Sequence, residues 1–198
     1  MRVTGVIQAG GKSVRMGGEP KALLDLGGRR IIERVLDAVA PVVDDVLIVT
    51  NTPALYAFLG VPMIPDAYPG HGSLGGIFSG LVAASGEAAF TVACDMPFLH
   101  GPVAQLVLER ACQADVVVPR VGEQLETMHA LYAKACLPHI EARLKAGRLK
   151  IVELFEDVSV VEIPEREVAR LRAPAVVFMN VNTPDDLARA RALAAELG

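Results

Sequence analysis

The apolar run Val3 to Ile7 empties directly into Gly10-Gly11-Lys12-Ser13-Val14-Arg15-Met16-Gly17-Gly18-Glu19-Pro20-Lys21, and this junction constrains the fold more than any other stretch. A buried strand followed by a glycine-rich loop that carries cations is how an α/β protein holds a phosphate chain. Glycines let backbone N–H groups come close to the phosphates, and Arg15 and Lys21 add positive charge on longer arms. Two common phosphate loops do not fit. A Walker A loop requires glycine five positions before the glycine of Gly11-Lys12-Ser13, where the chain has Val6, and Gly-x-Gly-x-x-Gly is not matched from Gly10. A plain surface turn is the competing reading of the same residues, because glycine and lysine are common in loops.

Further along, short β-rich runs alternate with helical periods, the pattern of a mainly parallel sheet covered on both faces. The runs predict strands at Val3 to Gln8, Val46 to Thr50, Val61 to Ile64, Ala89 to Ala93, Val116 to Pro119, Thr127 to Tyr132 and Val158 to Ile163. Helices are expected at Ile31 to Ala40, Pro53 to Phe58, Pro102 to Cys112, Leu137 to Lys145 and Leu187 to Leu197, and after the glycine loop Pro69 to Gly76 as far as Ala84. With 198 residues and 52% hydrophobic content the chain is expected to form one domain around a substantial core. The pattern changes near Gly122, so residues 1–120 are expected to form the nucleotide-binding part of that one domain and residues 121–198 an acceptor-side elaboration of it.

Composition narrows the partners. The net charge is −4 and no basic stripe interleaves with aromatics, so nucleic acid is not an expected partner. No stretch is long and apolar enough to cross a membrane, so a membrane is not an expected partner either. Cys94, Cys112 and Cys136 are odd in number and widely spaced, which fits reduced thiols rather than a disulfide framework or zinc site. Residues 1–25 hold no continuous signal-type apolar segment, and a cytoplasmic location is expected.

Three constellations carry chemistry. Ala89 to Ala93 ends in Cys94-Asp95-Met96-Pro97, placing one carboxylate just beyond a buried strand, at the edge where open α/β sheets bind ligands. A lone Asp there suits Mg²⁺ held between one carboxylate and phosphate oxygens, and it equally suits an ordinary strand-ending turn. Asp66 precedes the second glycine loop, whose Gly72, Gly75 and Gly76 let a flat or anionic group lie against backbone at a helix start. His71, with no partner at short spacing, reads as an exposed loop residue. Asn180-Val181-Asn182-Thr183-Pro184-Asp185-Asp186 begins a helix through a Thr183 cap, Pro184 at the first position and Asp186 at the third. Asn180 and Asn182 are left over from that account. Side by side on an extended segment, two amides can grip a polar heterocycle or a phosphate. Asn51, just past the second strand, sits at the same edge, where a ribose or base contact and an ordinary turn are both open. His129, on an apolar strand, reads as a satisfied structural histidine.

Taken in order, Ala9-Gly10-Gly11-x-Ser13-x-Arg15-Met16-Gly17 with Lys21, then Pro69 to Gly76, Cys94-Asp95-Met96-Pro97, His129-Ala130-Leu131-Tyr132 and Asn180-Val181-Asn182-Thr183-Pro184 resemble the molybdenum cofactor guanylyltransferase family over nearly the whole chain. The resemblance implies a three-layer, Rossmann-like nucleotidyltransferase fold and the transfer of GMP from GTP to molybdopterin. It assigns the backbone of Gln8, Ala9, Gly10 and Gly11 to the nucleotide, Lys21 to its phosphates, and Asn51 and Asp66 to the nucleoside. Asp95 would hold Mg²⁺, and Lys21, Arg15 and Asp95 would be catalytic. Arg15, Gly18, Gly72, Gly76, Asn180 and Asn182 would face the pterin, and proteins that assemble the cofactor or receive it would be partners. Two departures lie near the expected base: Gln8 stands where the family usually has Leu, and Ser73-Leu74-Gly75-Gly76 replaces Pro-Leu-Ala-Gly. A cytidylyltransferase on the same pterin, a sugar-phosphate nucleotidyltransferase and a non-catalytic GTP-binding module are the alternative readings.

Overall fold

A computed structural model describes residues 1–10, 15–16 and 19–197, without the side chains of residues 15, 16 and 19. Gly11, Gly18 and the Arg15 side chain, all expected in the site, lie outside the described residues. The strands are β1 (Val3–Gln8), β2 (Arg15–Met16), β3 (Glu19–Pro20), β4 (Asp45–Val49), β5 (Met63–Ile64), β6 (Ala88–Ala93), β7 (Val116–Val121), β8 (Gln124–Leu125), β9 (His129–Ala133) and β10 (Val160–Pro164). The helices are α1 (Ile31–Val39), α2 (Gly72–Ala83), α3 (Gly101–Leu108), α4 (Leu137–Lys145), α5 (Ile151–Leu154), α6 (Glu165–Ala169), α7 (Pro174–Val177) and α8 (Pro184–Leu197). The main sheet runs β10-β7-β9-β6-β1-β4-β5, with β8 paired to β7, while β2 and β3 form a separate short hairpin. Pairings β4–β5, β1–β4, β1–β6 and β7–β10 are parallel, and β9 runs antiparallel between β6 and β7.

Strict alternation along the strands explains the layers. Ile7, Ile48, Phe90, Val92, Val117, Leu131 and Ile163 point to one face, where Ile32 and Val35 of α1 and Val103 and Val107 of α3 cover them. Val6, Leu47, Val49, Ala89, Val116, Val118 and Tyr132 point to the other, under Leu74, Ile77 and Leu81 of α2 and Ile140 and Leu144 of α4. Because both faces are covered, the strands read as nearly continuous apolar runs. A third cluster gathers Leu26, Ile31, Phe98, Met179, Val181 and Leu187 beneath α8.

The second glycine loop differs from the sequence expectation. The helix opens at Gly72, so Gly75 and Gly76 lie within its first turns rather than ahead of it. Their missing Cβ atoms serve close packing. A Cβ on Gly76 would stand 2.4 Å from Gln8 Oε1, and one on Gly75 would stand 2.9 Å from the Tyr68 carbonyl. Gly80, one turn on, continues the notch against Val6, whose Cγ1 would be 2.4 Å from an added Cβ. Gly80→Ala therefore gains helix propensity, about 1 kcal/mol, but overpacks a fully buried β-branched side chain at a cost of about 1–3 kcal/mol. The overpacking wins, since Val6 has no room to turn, and the Tm of this variant is expected to fall by a few degrees in a calorimetric scan.

Elsewhere α3 stops at Leu108, four residues before the expected Cys112, and β9 begins at His129 rather than Thr127. Expected helix Pro53 to Phe58 is two 3₁₀ turns, Pro53–Leu55 and Ala57–Leu59. Helices α5, α6 and α7 carry too few residues to show a period in the sequence. Among the described residues no helix is long and apolar enough to cross a membrane.

Candidate functional site

The strand register brings the singled-out residues to one edge. Gln8 pairs with Val49 on one side and Ala93 on the other, and Val49 pairs with Ile64. Two residues beyond that last row come Gly10, Asn51, Asp95 and Asp66, so one line across the carboxyl ends of four parallel strands collects them. The chain stays in register as it leaves the sheet, because Ala9 N–H donates to the Val49 carbonyl at 2.9 Å and Cys94 N–H to the Gln8 carbonyl at 3.1 Å. Asn51 Oδ1 then accepts the Asp66 N–H at 3.0 Å, tying the ends of β4 and β5 together.

Asp66 is a brace as much as a candidate ligand. Its Oδ1 accepts the Tyr68 N–H at 3.0 Å and lies 3.0 Å from Ser79 Oγ, which sits 2.8 Å from the Gly75 carbonyl and accepts the Ala67 N–H. The loop before α2 is thereby folded onto the helix that follows it. Gln8 joins from the centre of the sheet, its Nε2 donating to the Ser73 carbonyl at 3.1 Å across the face of Gly76. Gly72, at the start of α2, takes φ +64°, a conformation that favours glycine. His71 is half-buried rather than exposed, its ring edge-on to Tyr68 and its Nδ1 3.3 Å from the Pro69 carbonyl.

Asp95 and Lys21 share this edge. Burial pushes the Asp95 carboxyl above the usual carboxylate range, and the positive charge of Lys21 partly offsets that. Burial and the adjacent Asp95 together push the Cys94 thiol up to about 12, so it stays protonated and inert beside the carboxylate. Lys21 opens the 3₁₀ turn Lys21–Leu23 with only 8% of its surface exposed, and its Nζ donates to Asn182 Oδ1 at 3.0 Å. The Asn180–Asn182 segment is held at both ends. Val181 N–H donates to the Asp95 carbonyl at 2.9 Å, while Asp186 Oδ2 accepts the N–H groups of Asn182 and Thr183. Thr183 Oγ1 in turn accepts the Asp186 N–H, so the Thr183 cap with Asp186 at the third helical position stands as expected. These bonds hold the Asp186 carboxyl below its ordinary range, the Thr183 hydroxyl foremost. Met179 and Val181 enter the α8 cluster, and the Asn residues alternate away from it, with Asn180 Nδ2 donating to the Phe178 carbonyl.

A further carboxylate, Glu126, precedes strand β9. Strand β9 runs antiparallel to β6 with His129 opposite Val92, and the chain turns just before it, the His129 N–H donating to the Glu126 carbonyl at 2.9 Å. Glu126, whose N–H donates to the Pro119 carbonyl at 2.9 Å, is half-buried, and burial alone raises its carboxyl. His129 itself is buried as expected but not satisfied: among the described residues neither ring nitrogen has a hydrogen-bond partner.

The described residues contain no cluster of three or more His, Cys, Asp or Glu side chains able to cage a metal. A single half-buried carboxylate fits a hard divalent cation only where substrate oxygens complete the shell, which is the usual habit of Mg²⁺ with nucleotides.

Comparison with known proteins agrees with the geometry. The family described as "MobA-like NTP transferase domain" matches residues 5–161. A curated protein named molybdenum cofactor guanylyltransferase from Desulfosudis oleivorans is 40% identical over 96% of this chain and 95% of its own length. One named probable molybdenum cofactor guanylyltransferase from Pelotomaculum thermopropionicum is 39% identical over 98% and 94%. Among solved structures, molybdopterin-guanine dinucleotide biosynthesis protein A from Archaeoglobus fulgidus superposes with a TM-score of 0.83 at 26% identity, covering 98% of this chain and 99% of that one. With its four-strand edge, its buried Lys21 and this likeness over almost its full length, the chain belongs to the molybdenum cofactor guanylyltransferase family of nucleotidyltransferases.

Proposed function

We propose that the protein transfers GMP from GTP to the terminal phosphate of molybdopterin, releasing pyrophosphate. The observation that carries this reading is the alignment of Gly10, Asn51, Asp66 and Asp95 along one sheet edge, with the buried Lys21 ammonium beside them. An oxygen of the acceptor phosphate attacks the α-phosphorus of GTP in line, the bond to the β-phosphate oxygen breaks, and pyrophosphate leaves with that electron pair. The attacking oxygen is already anionic, so no side-chain nucleophile is needed, and catalysis consists of positioning and charge stabilisation.

The backbone of Gln8, Ala9, Gly10 and Gly11 cradles the phosphates in this reading, with Lys21 and Arg15 as its cations and Asn51 and Asp66 toward the nucleoside. Arg15, Gly18, Gly72, Gly76, Asn180 and Asn182 face the acceptor, dividing the chain into a nucleotide part, residues 1–120, and an acceptor part, residues 121–198. Nucleotidyltransferases generally use a divalent metal, and Asp95 would hold it here, as Mg²⁺. When bound, it supplies positive charge to the α-phosphate and the departing pyrophosphate. Cys94, Cys112 and Cys136 are all free thiols, which supports a reducing, cytoplasmic setting.

The test is acceptor-dependent pyrophosphate release in the presence of Mg²⁺ with each of the four ribonucleoside triphosphates. GTP with molybdopterin is expected to give turnover, and GTP is expected to protect the protein best against heat. Preference for CTP would assign it to cytidylyl transfer instead. GTP binding without acceptor-dependent pyrophosphate would make it a binding module.

A further inference from the structure

Lys21 and Asn182 stand 161 residues apart in sequence, yet their side chains make a hydrogen bond that links the nucleotide half of the edge to the acceptor half. An ammonium only donates, so the amide must present Oδ1 to it. The lysine stem is buried and its head has three hydrogens, of which Asn182 takes one. Asn182 is itself anchored, because Asp186 Oδ2 accepts its N–H at 3.1 Å and the neighbouring Val181 N–H is fixed to the Asp95 carbonyl. The segment thus touches two charged members of the site, Lys21 through a side chain and Asp95 through its backbone.

The chemistry of the partner matters. A carboxylate at this distance would hold the ammonium equally well but would cancel its charge. A neutral amide fixes its direction and leaves the whole positive charge for phosphate oxygens. We propose that Asn182 is a positioning residue for Lys21: before any acceptor arrives, it aims the ammonium at the site of the triphosphate, in addition to its contact with the acceptor. This deepens the guanylyl-transfer reading and rests on it. It also couples the two substrates, since an acceptor that engages the Asn182 amide acts on the group that aims Lys21.

The experiment is GTP affinity by titration calorimetry with Mg²⁺ and no acceptor, on Lys21→Ala, Asn182→Ala, Asn182→Asp and the Lys21→Ala/Asn182→Ala pair, each checked for folding by circular dichroism. Lys21→Ala is expected to weaken GTP binding about 100-fold and Asn182→Ala about tenfold, in line with hydrogen bonds to charged groups. In the Lys21→Ala background, Asn182→Ala is expected to add nothing, whereas general loosening of the segment would weaken binding in both backgrounds. Asn182→Asp, of nearly the same shape, is expected to bind GTP more weakly than Asn182→Ala, and it keeps the question answerable if the alanine variant does not fold. Wild-type GTP affinity in both Asn182 variants, with only the acceptor KM raised, would overturn the inference. Wild-type affinity in Lys21→Ala would instead overturn the place of Lys21 in the nucleotide site.

Discussion

Asp95→Asn is expected to cut turnover by about 10²–10³-fold, the usual loss of roughly 2.7–4 kcal/mol when one preorganised group is removed from a transition state, while Tm holds or rises. The two halves of that result come from the same cause. Burial raises the Asp95 carboxyl, which means that folding disfavours its charged form. An amide of the same shape has no charge to desolvate, so the folded state loses nothing by the exchange. The structural work of residue 95 is done by its backbone, whose carbonyl accepts the Val181 N–H, and this bond survives the substitution. What disappears is the anionic oxygen that answers Lys21 and would hold a divalent ion. Steady-state kinetics with a melting curve on the same preparation check both halves. Near-normal turnover would remove Asp95 from the chemistry, and a large drop in Tm would make it a structural residue instead.

The parts of this protein legible in its sequence are those that local physics controls. Strand Val3–Gln8 and helix Leu137–Lys145 stand where apolar runs and periods place them. The start of α8 follows from Thr183, Pro184 and Asp186, because a cap is a local hydrogen-bonding problem. Asp95 and Asn51 are legible as site candidates because parallel strands deliver all their carboxyl ends to one edge, so a polar residue just past a strand is enough. What was not legible depends on pairing between distant segments. The direction of β9, antiparallel between β6 and β7 in an otherwise parallel run, is such a pairing, and no spacing in the chain announces it. The roles of Gly75 and Gly76 turned on how closely α2 approaches Gln8 and Tyr68, so residues that read as a loop proved to be a packing notch. Lys21 and Asn182 were each visible, but their hydrogen bond was not.

His129→Leu is expected to stabilise the protein and to remove most of its loss of stability between pH 6.5 and about 4.5. The imidazole is wholly buried on β9, with the rings of Phe90 and Phe178 edge-on at 5.0 and 5.2 Å. Neither nitrogen has a partner among the described residues, and burial pushes the group down to about 3. The unfolded chain, with an ordinary histidine near 6.5, therefore takes up a proton first as pH falls. Stability carried by the neutral ring is complete above pH 6.5 and declines by about 1.4 kcal/mol per unit from there toward pH 3. Carboxylates held below their ordinary range, Asp115 by the Ser159 hydrogen bonds and Asp186 chiefly by Thr183, lose their contribution only below about pH 4, so the two windows separate. Asp95 and Glu126 act in the opposite sense, because burial raises them and protonation relieves that penalty. A leucine of similar volume removes two buried polar atoms that make no hydrogen bonds, worth about 1–3 kcal/mol at neutral pH. Denaturant titrations of both proteins at half-unit steps from pH 7.5 to 4.5 measure the difference. Parallel pH profiles for wild type and variant would show that the ring is charged or hydrogen-bonded in the folded protein, and the packing account of His129 would fall with them.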